Sequence, residues 1–220
     1  MDYYNLLELL HKEFKPKKYL EVGIRNGDSL SLADGNTFCI GIDPAYHIKA
    51  ALSDNTYVFK MTSDAFFEKY SENGCLASHI DMAFIDGMHL FEYVLRDFIN
   101  IEKRCASKDS FIVLHDTVPR DKVTSERNRT TNFWTGDVFK IILILKKYRP
   151  NLKIYNADAA PTGLTIVSNL DSSSDILFNN YEKIVNEYVG MDFDNLGKDV
   201  RSELGVEVAD IDRIKSFFYT

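Results

Sequence analysis

The sequence predicts an α/β fold: a mostly parallel sheet with helices packed on both faces. Three observations carry this expectation. Short runs rich in Ile, Val, Phe and Tyr end in Gly, Asp, Ser or Pro, as buried strands do; amphipathic stretches separate them; and a glycine turn follows the first run. Parallel neighbours need long right-handed crossovers, which the amphipathic stretches supply.

Residues 18–24, 37–43, 57–61, 80–86 and 109–115 read as five strands. Between the fourth and fifth, Leu90, Phe91, Val94, Leu95, Phe98 and Ile101 recur at helical spacing while Glu92, Arg96 and Asp97 face elsewhere, giving a crossover helix. From Pro119 to Asn132 the chain is polar and carries Arg120, Lys122, Arg127 and Arg129, which predicts a surface loop. Its place after the fifth strand also suits a lid over residues 119–131. A largely buried helix is expected from about Phe133 to Tyr148, then two strands at Lys153–Tyr155 and Leu164–Val167. The whole is a Rossmann-like, doubly wound sheet of seven strands, residues 1–170, followed by a helical tail, 171–220. In that tail Leu177, Tyr181, Ile184, Val185 and Tyr188 share one face. The tail is expected to cap the core or to carry a contact in a homo-oligomer.

Composition narrows the function. A hydrophobic content of 45% over 220 residues suffices for one sizeable core. The net charge of -7 and pI near 5.3 oppose attraction to nucleic acid phosphates, so a small-molecule partner is expected. With neither a signal-like start nor an apolar run long enough to span a bilayer, the expected location is the cytoplasm, off the membrane. Cys39, Cys75 and Cys105 form no CxxC pair and read as free thiols.

The first strand ends in Glu21-Val22-Gly23-Ile24-Arg25-Asn26-Gly27, where two glycines let the backbone turn tightly beneath a ligand. The spacing is not GxGxxG, and the preceding carboxylate suits a cationic ligand better than a pyrophosphate. Asp43 closes the second strand, where a ribose diol binds at a switch point. Asp86 closes the fourth strand and Asp116 follows the fifth, so their carboxylates can converge; His89 lies over the same rim. His115 and Asp116 are adjacent, so at most one continues the strand. Trp134, the only tryptophan, reads either as core or as a stacking surface beside the cleft. His11, His47 and His79 read as structural.

In its glycine turn and acidic second-strand end, the sequence resembles the class I S-adenosylmethionine-dependent methyltransferases. The order of strand ends over residues 17–168 extends the likeness, including Met61-Thr62-Ser63-Asp64 and Phe84-Ile85-Asp86-Gly87-Met88-His89. The I-D-G-x-H box, Tyr93-Val94-Leu95-Arg96-Asp97 and Leu114-His115-Asp116-Thr117 are similar to a bacterial branch that includes macrocin-type sugar O-methyltransferases and cephalosporin-hydroxylase-like proteins. The resemblance implies that Gly23 and Gly27 line the methionine part of S-adenosylmethionine, with Glu21 near its ammonium. It places Asp43 on the ribose hydroxyls and Ser63 with Asp64 beside adenine, although Asp64 also reads as a helix cap. It further implies a divalent cation, Mg²⁺ or another, on Asp86 and the pair after the fifth strand, with His89 as base to a hydroxyl of a small molecule or sugar. This chain departs from the branch at His115, where an imidazole replaces a carboxylate and either weakens the site for Mg²⁺ or shifts it toward a softer metal. The alternatives are an NAD-dependent oxidoreductase, a hydroxylase-like enzyme, and a noncatalytic nucleotide-binding or assembly protein of the same fold.

Overall fold

The computed structural model describes residues 1–70, 74–104 and 109–219; Cys105 lies outside them. Eight strands form one sheet: β1 (Lys18–Val22), β2 (Phe38–Ile42), β3 (Thr56–Phe59), β4 (Met82–Ile85), β5 (Phe111–His115), β6 (Lys153–Ala157), β7 (Leu164–Ser168) and β8 (Val206–Glu207). Their order is β3-β2-β1-β4-β5-β7-β6-β8, and only β7 runs against its neighbours. The seven strands that the sequence predicts are present. The two-residue β8 joins the edge beside β6, too short to leave a pattern in sequence.

Among the described residues, eight α-helices flank the sheet: α1 (Tyr3–Phe14), α2 (Ser63–Lys69), α3 (Phe91–Glu102), α4 (Lys140–Tyr148), α5 (Ile176–Asn179), α6 (Tyr181–Tyr188), α7 (Val200–Glu203) and α8 (Ile211–Tyr219). Alternation along the strands divides the core in two. Leu20, Val22, Ile40, Ile42, Ala83, Ile85, Ile112 and Leu114 pack toward α2, α3, α4 and the tail residues Leu177, Ile184 and Tyr188. Tyr19, Cys39, Met82, Phe84, Phe111 and Val113 pack toward Leu6, Leu7 and Leu10 of α1 and Ile214 of α8. The tail thus covers both faces. No helix among the described residues is long and apolar enough to cross a membrane.

Two local expectations change. Residues 3–14, to which the periodicity above assigns no element, form α1, whose start is capped by Asp2 accepting from the Asn5 amide at 2.9 Å. The helix expected from Phe133 begins only at Lys140. Gly136, at φ +55°, passes so close to the His89 carbonyl that a Cβ would lie 1.7 Å from its oxygen. Asp137 accepts the Phe91 amide at 2.9 Å and so caps α3, whose own cap residue Leu90 supplies no side-chain acceptor. Residues 133–139 therefore secure the β4–α3 loop instead of extending a helix.

Candidate active site

The strand order reverses direction between β1 and β4, which opens a crevice at the carboxyl ends of the parallel strands. A cleft of about 820 Å³ occupies that position, lined at one end by Gly23, Asp43, Ser63, Asp64 and Asp97, and at the other by Asp86, His89, His115, Asp116 and Trp134.

The β1 turn fits against β4 without slack. Gly23 has φ +87°, and a Cβ there would lie 2.2 Å from the Asp86 carbonyl oxygen. Gly27, at φ +86°, packs against Ile48 and does not line the cleft. The Asp43 carboxylate accepts the Arg25 amide at 2.9 Å and the Ala45 amide at 2.7 Å, tying the glycine turn to the end of β2. Glu21 is fully buried and does not reach the cleft: strand alternation turns it to the face of Tyr19, whose hydroxyl donates to it at 2.8 Å, as does the Ser29 hydroxyl. Burial pushes its pKa up to about 8, against the opposing pull of those two hydrogen bonds.

Asp64 is not a helix cap. Thr62 caps α2 by accepting the Ala65 amide, and Asp64 instead pairs with Arg96 at 2.7 Å on the rim. Asp97, which helical periodicity places on a polar face, is 3% exposed and lines the cleft. Burial raises its pKa to about 7, while the Ser63 hydroxyl bonds its carboxyl and pulls the other way. Its Oδ1 has no hydrogen-bond partner among the described residues. A buried acceptor left open at a cleft is costly unless a ligand meets it. No local sequence signal marks Asp97, because it reaches the cleft from the middle of α3.

At the other end four side chains converge. Asp116 has φ +59°, so the chain leaves β5 abruptly while His115 still pairs with Leu164. His115 continues the strand and Asp116 bends away, yet both carry their side chains to Asp86. His115 Nδ1 lies 3.0 Å from Asp86 Oδ1, and Thr162 donates to Asp116 Oδ1. One donor atom each from Asp86, His115 and Asp116 falls within 4.8 Å of the others, a set of two oxygens and one nitrogen that fits a divalent ion.

His89 Nδ1 lies 2.8 Å from the Trp134 carbonyl and 2.9 Å from Asp116 Oδ2. A carbonyl only accepts, so Nδ1 carries the hydrogen, and the neutral tautomer leaves Nε2 free as a base. Nε2 stands 3.6 Å from Asp86 Oδ1. The imidazole stacks on Trp134, with ring centroids 5.1 Å apart and planes within 8°. Trp134 is therefore a cleft residue. Tyr3 of α1 also lines the cleft, its ring 4.1 Å from that of His115, a contribution invisible in local sequence because α1 is remote from the strand ends.

The loop over 119–131 is polar but anchored. Arg127 bridges Glu92 and Asp137, Lys122 reaches Asp194 in the tail, and Thr124 and Ser125 are buried.

Residues 20–117 match a family model described as a methyltransferase domain. No curated protein matches the sequence. Solved structures with the same fold include a putative O-methyltransferase from Klebsiella pneumoniae, 13% identical with a TM-score of 0.56 over 76% of this chain and 80% of that one. A Bacillus cereus O-methyltransferase in complex with SAH is 13% identical, with a TM-score of 0.52 over 75% and 80%. The O-methyltransferase TomG from Streptomyces achromogenes, involved in tomaymycin synthesis and solved in complex with SAM, is 12% identical with a TM-score of 0.56 over 76% and 79%. Residues 20–117 are thus similar to a methyltransferase domain, and the chain shares the fold of these solved O-methyltransferases.

Proposed function

We propose that this protein is an S-adenosylmethionine-dependent O-methyltransferase acting on a hydroxyl of a small molecule or sugar. The observation that carries the reading is a single cleft at the switch point, with a glycine turn and ribose-type carboxylate at one end and an acid–imidazole cluster at the other. The cofactor supplies a methyl group from a sulfonium. Gly23 and Asp43 would hold its methionine and ribose parts, and Ser63 with Asp97 its base, the open Oδ1 of Asp97 accepting from the adenine amine. Glu21 supports the turn from beneath through its bonds with Tyr19 and Ser29, its carboxyl kept largely protonated by burial. An NAD reading fits less well, because the turn lacks the third glycine of the dinucleotide fingerprint.

In-line displacement asks the protein to position the acceptor, exclude water and remove a proton. His89 Nε2 takes that proton, while Asp116 and the Trp134 carbonyl fix the ring through Nδ1. Asp86, His115 and Asp116 would hold a divalent cation, which lowers the pKa of a bound hydroxyl. Residues 1–170 carry both sites, and 171–220 brace them through the Lys122–Asp194 pair and the Tyr181 hydroxyl on the Glu92 carbonyl.

The test is transfer of labelled methyl from S-adenosylmethionine to a panel of phenolic and sugar hydroxyls, with and without chelator. Transfer that chelator suppresses and Mn²⁺ restores better than Mg²⁺ is expected, and His115→Asp should reverse that preference. Undiminished transfer in excess chelator would remove the metal from the account and leave His89 as the sole activator.

A further inference from the structure

We propose that the acceptor carries a carboxylate beside the hydroxyl it offers, and that Arg129, assisted by Arg120, reads it at the mouth of the cleft. This rests on the methyltransferase reading and specifies its substrate class.

The anchored loop carries four cations, and they divide cleanly. Lys122 pairs with Asp194 and Asp192, and Arg127 with Glu92 and Asp137. Arg120 and Arg129 form no ion pair among the described residues; each gives one long Nε–H bond of 3.4 Å, to the Pro161 and Thr131 carbonyls respectively. Their terminal guanidinium nitrogens remain for a ligand. Arg129 lines the cleft, as do Asn132, Phe133 and Trp134. Beside it Phe133 is 56% exposed, with the Arg120 guanidinium 4.4 Å over its ring. An exposed aromatic under one unpaired arginine, with a second unpaired arginine lining the same cleft, offers a flat surface and a forked donor together, the combination that holds a planar or ring-shaped carboxylic acid.

The charge of the ligand follows from the rest of the lining. Five carboxyls, those of Asp43, Asp64, Asp86, Asp97 and Asp116, line this cleft against two arginines, Arg25 and Arg129, and the imidazoles of His89 and His115. A dianionic phosphate would meet that field with twice the repulsion of a carboxylate, whereas a single negative charge is offset by Arg129. A neutral acceptor would leave Arg120 and Arg129 without function at a rim where the neighbouring cations are paired.

Trp134, the only tryptophan, lies in the cleft, so its fluorescence lifetime reports occupancy there. The probes are 3,4-dihydroxybenzoate and its methyl ester, which differ by one charge, titrated into the S-adenosylhomocysteine-loaded protein. The acid should bind about tenfold more tightly than the ester, the worth of one charge-assisted hydrogen bond. Arg129→Gln should erase that difference, Arg129→Lys should keep part of it, and neither should change the melting temperature of a residue so exposed. Equal affinity for acid and ester, a preference that survives in the Arg120→Gln/Arg129→Gln double variant, or no binding of the acid would overturn the proposal. Calorimetry of S-adenosylhomocysteine on the same samples separates the two levels. If that ligand binds while the acid preference is absent, only the carboxylate falls; if it does not bind, the methyltransferase reading falls and takes the carboxylate with it.

Discussion

Burial pulls the His89 imidazole toward neutrality, but its hydrogen bond to Asp116 and the charges of Asp116 and Asp86 outweigh that and hold its pKa near about 9. A base must be deprotonated, so activity is lost as pH falls through this pKa. A cation on the carboxylates would offset their charge and move that acid limb to lower pH. His89→Ala should lower kcat by about 10²–10⁴-fold and flatten the acid limb, with S-adenosylhomocysteine affinity unchanged by calorimetry. Near-full kcat in that variant would end the base assignment. Glu21 carries the opposite kind of information. Its pKa rises from the ordinary 4.5 to about 8 on folding, so the folded state binds the extra proton, and stability declines as pH climbs through that window. Below about 4.5 the group is protonated in both states and contributes no such decline. Glu21→Gln should therefore gain melting temperature relative to the parent between pH 5 and pH 9; a difference that stays flat with pH would show that the carboxyl ionises normally. Both residues are conspicuous in the sequence, yet only coordinates reveal that one faces the cleft and the other the opposite layer.

At the scale of elements, the loop after β5 and the start of α4 are held by a buried charge cluster. Lys140 and Asp137, both fully or almost fully buried, pair at 2.7 Å; Arg127 joins Asp137 at 2.6 Å, and the Lys140 ammonium lies 5.0 Å over the Phe91 ring. Removing one partner of a buried pair strands the other, which costs about 3–5 kcal/mol. Asp137→Ala also uncaps α3, so denaturant unfolding should show at least that loss, while Arg127→Ala, at a part-exposed partner, should cost less. A destabilisation below about 1 kcal/mol for Asp137→Ala would mean that the cluster is not what anchors the loop. The same cluster explains why the sequence misleads over 133–139. Phe133, Trp134 and Val138 have helical spacing, but Gly136 must pass the His89 backbone and Asp137 must reach Phe91. Both requirements come from the β4–α3 loop, 46 residues away in the case of Phe91 and Asp137. Helix α1 failed to declare itself for another reason: it precedes the first strand, so no crossover between predicted strands calls for it.

Over the whole molecule, the strands were legible because a parallel sheet buried on both faces demands continuous apolar runs, and the strand ends because turns there need Gly, Asp or Ser. Gly23, Asp43, Asp86, His89, His115 and Asp116 follow from those ends, and the fold brings them to one cleft. Asp97, Tyr3, Arg129 and Phe133 do not, since each reaches the cleft from a helix or loop whose placement depends on packing across the sheet. The edge strand β8 is likewise fixed by docking against β6 and not by any local pattern.

The central claim is that the strand-end cleft binds S-adenosylmethionine. It is tested most directly by calorimetric titration of S-adenosylhomocysteine and, separately, NAD into the purified protein and its Gly23→Ala and Asp43→Ala variants. The account predicts saturable binding of S-adenosylhomocysteine and none of NAD. It predicts loss of binding in Gly23→Ala, where a Cβ would collide with the Asp86 carbonyl, and about tenfold or greater weakening in Asp43→Ala. Tight binding of NAD with no heat from S-adenosylhomocysteine, or unchanged affinity in both variants, would contradict it.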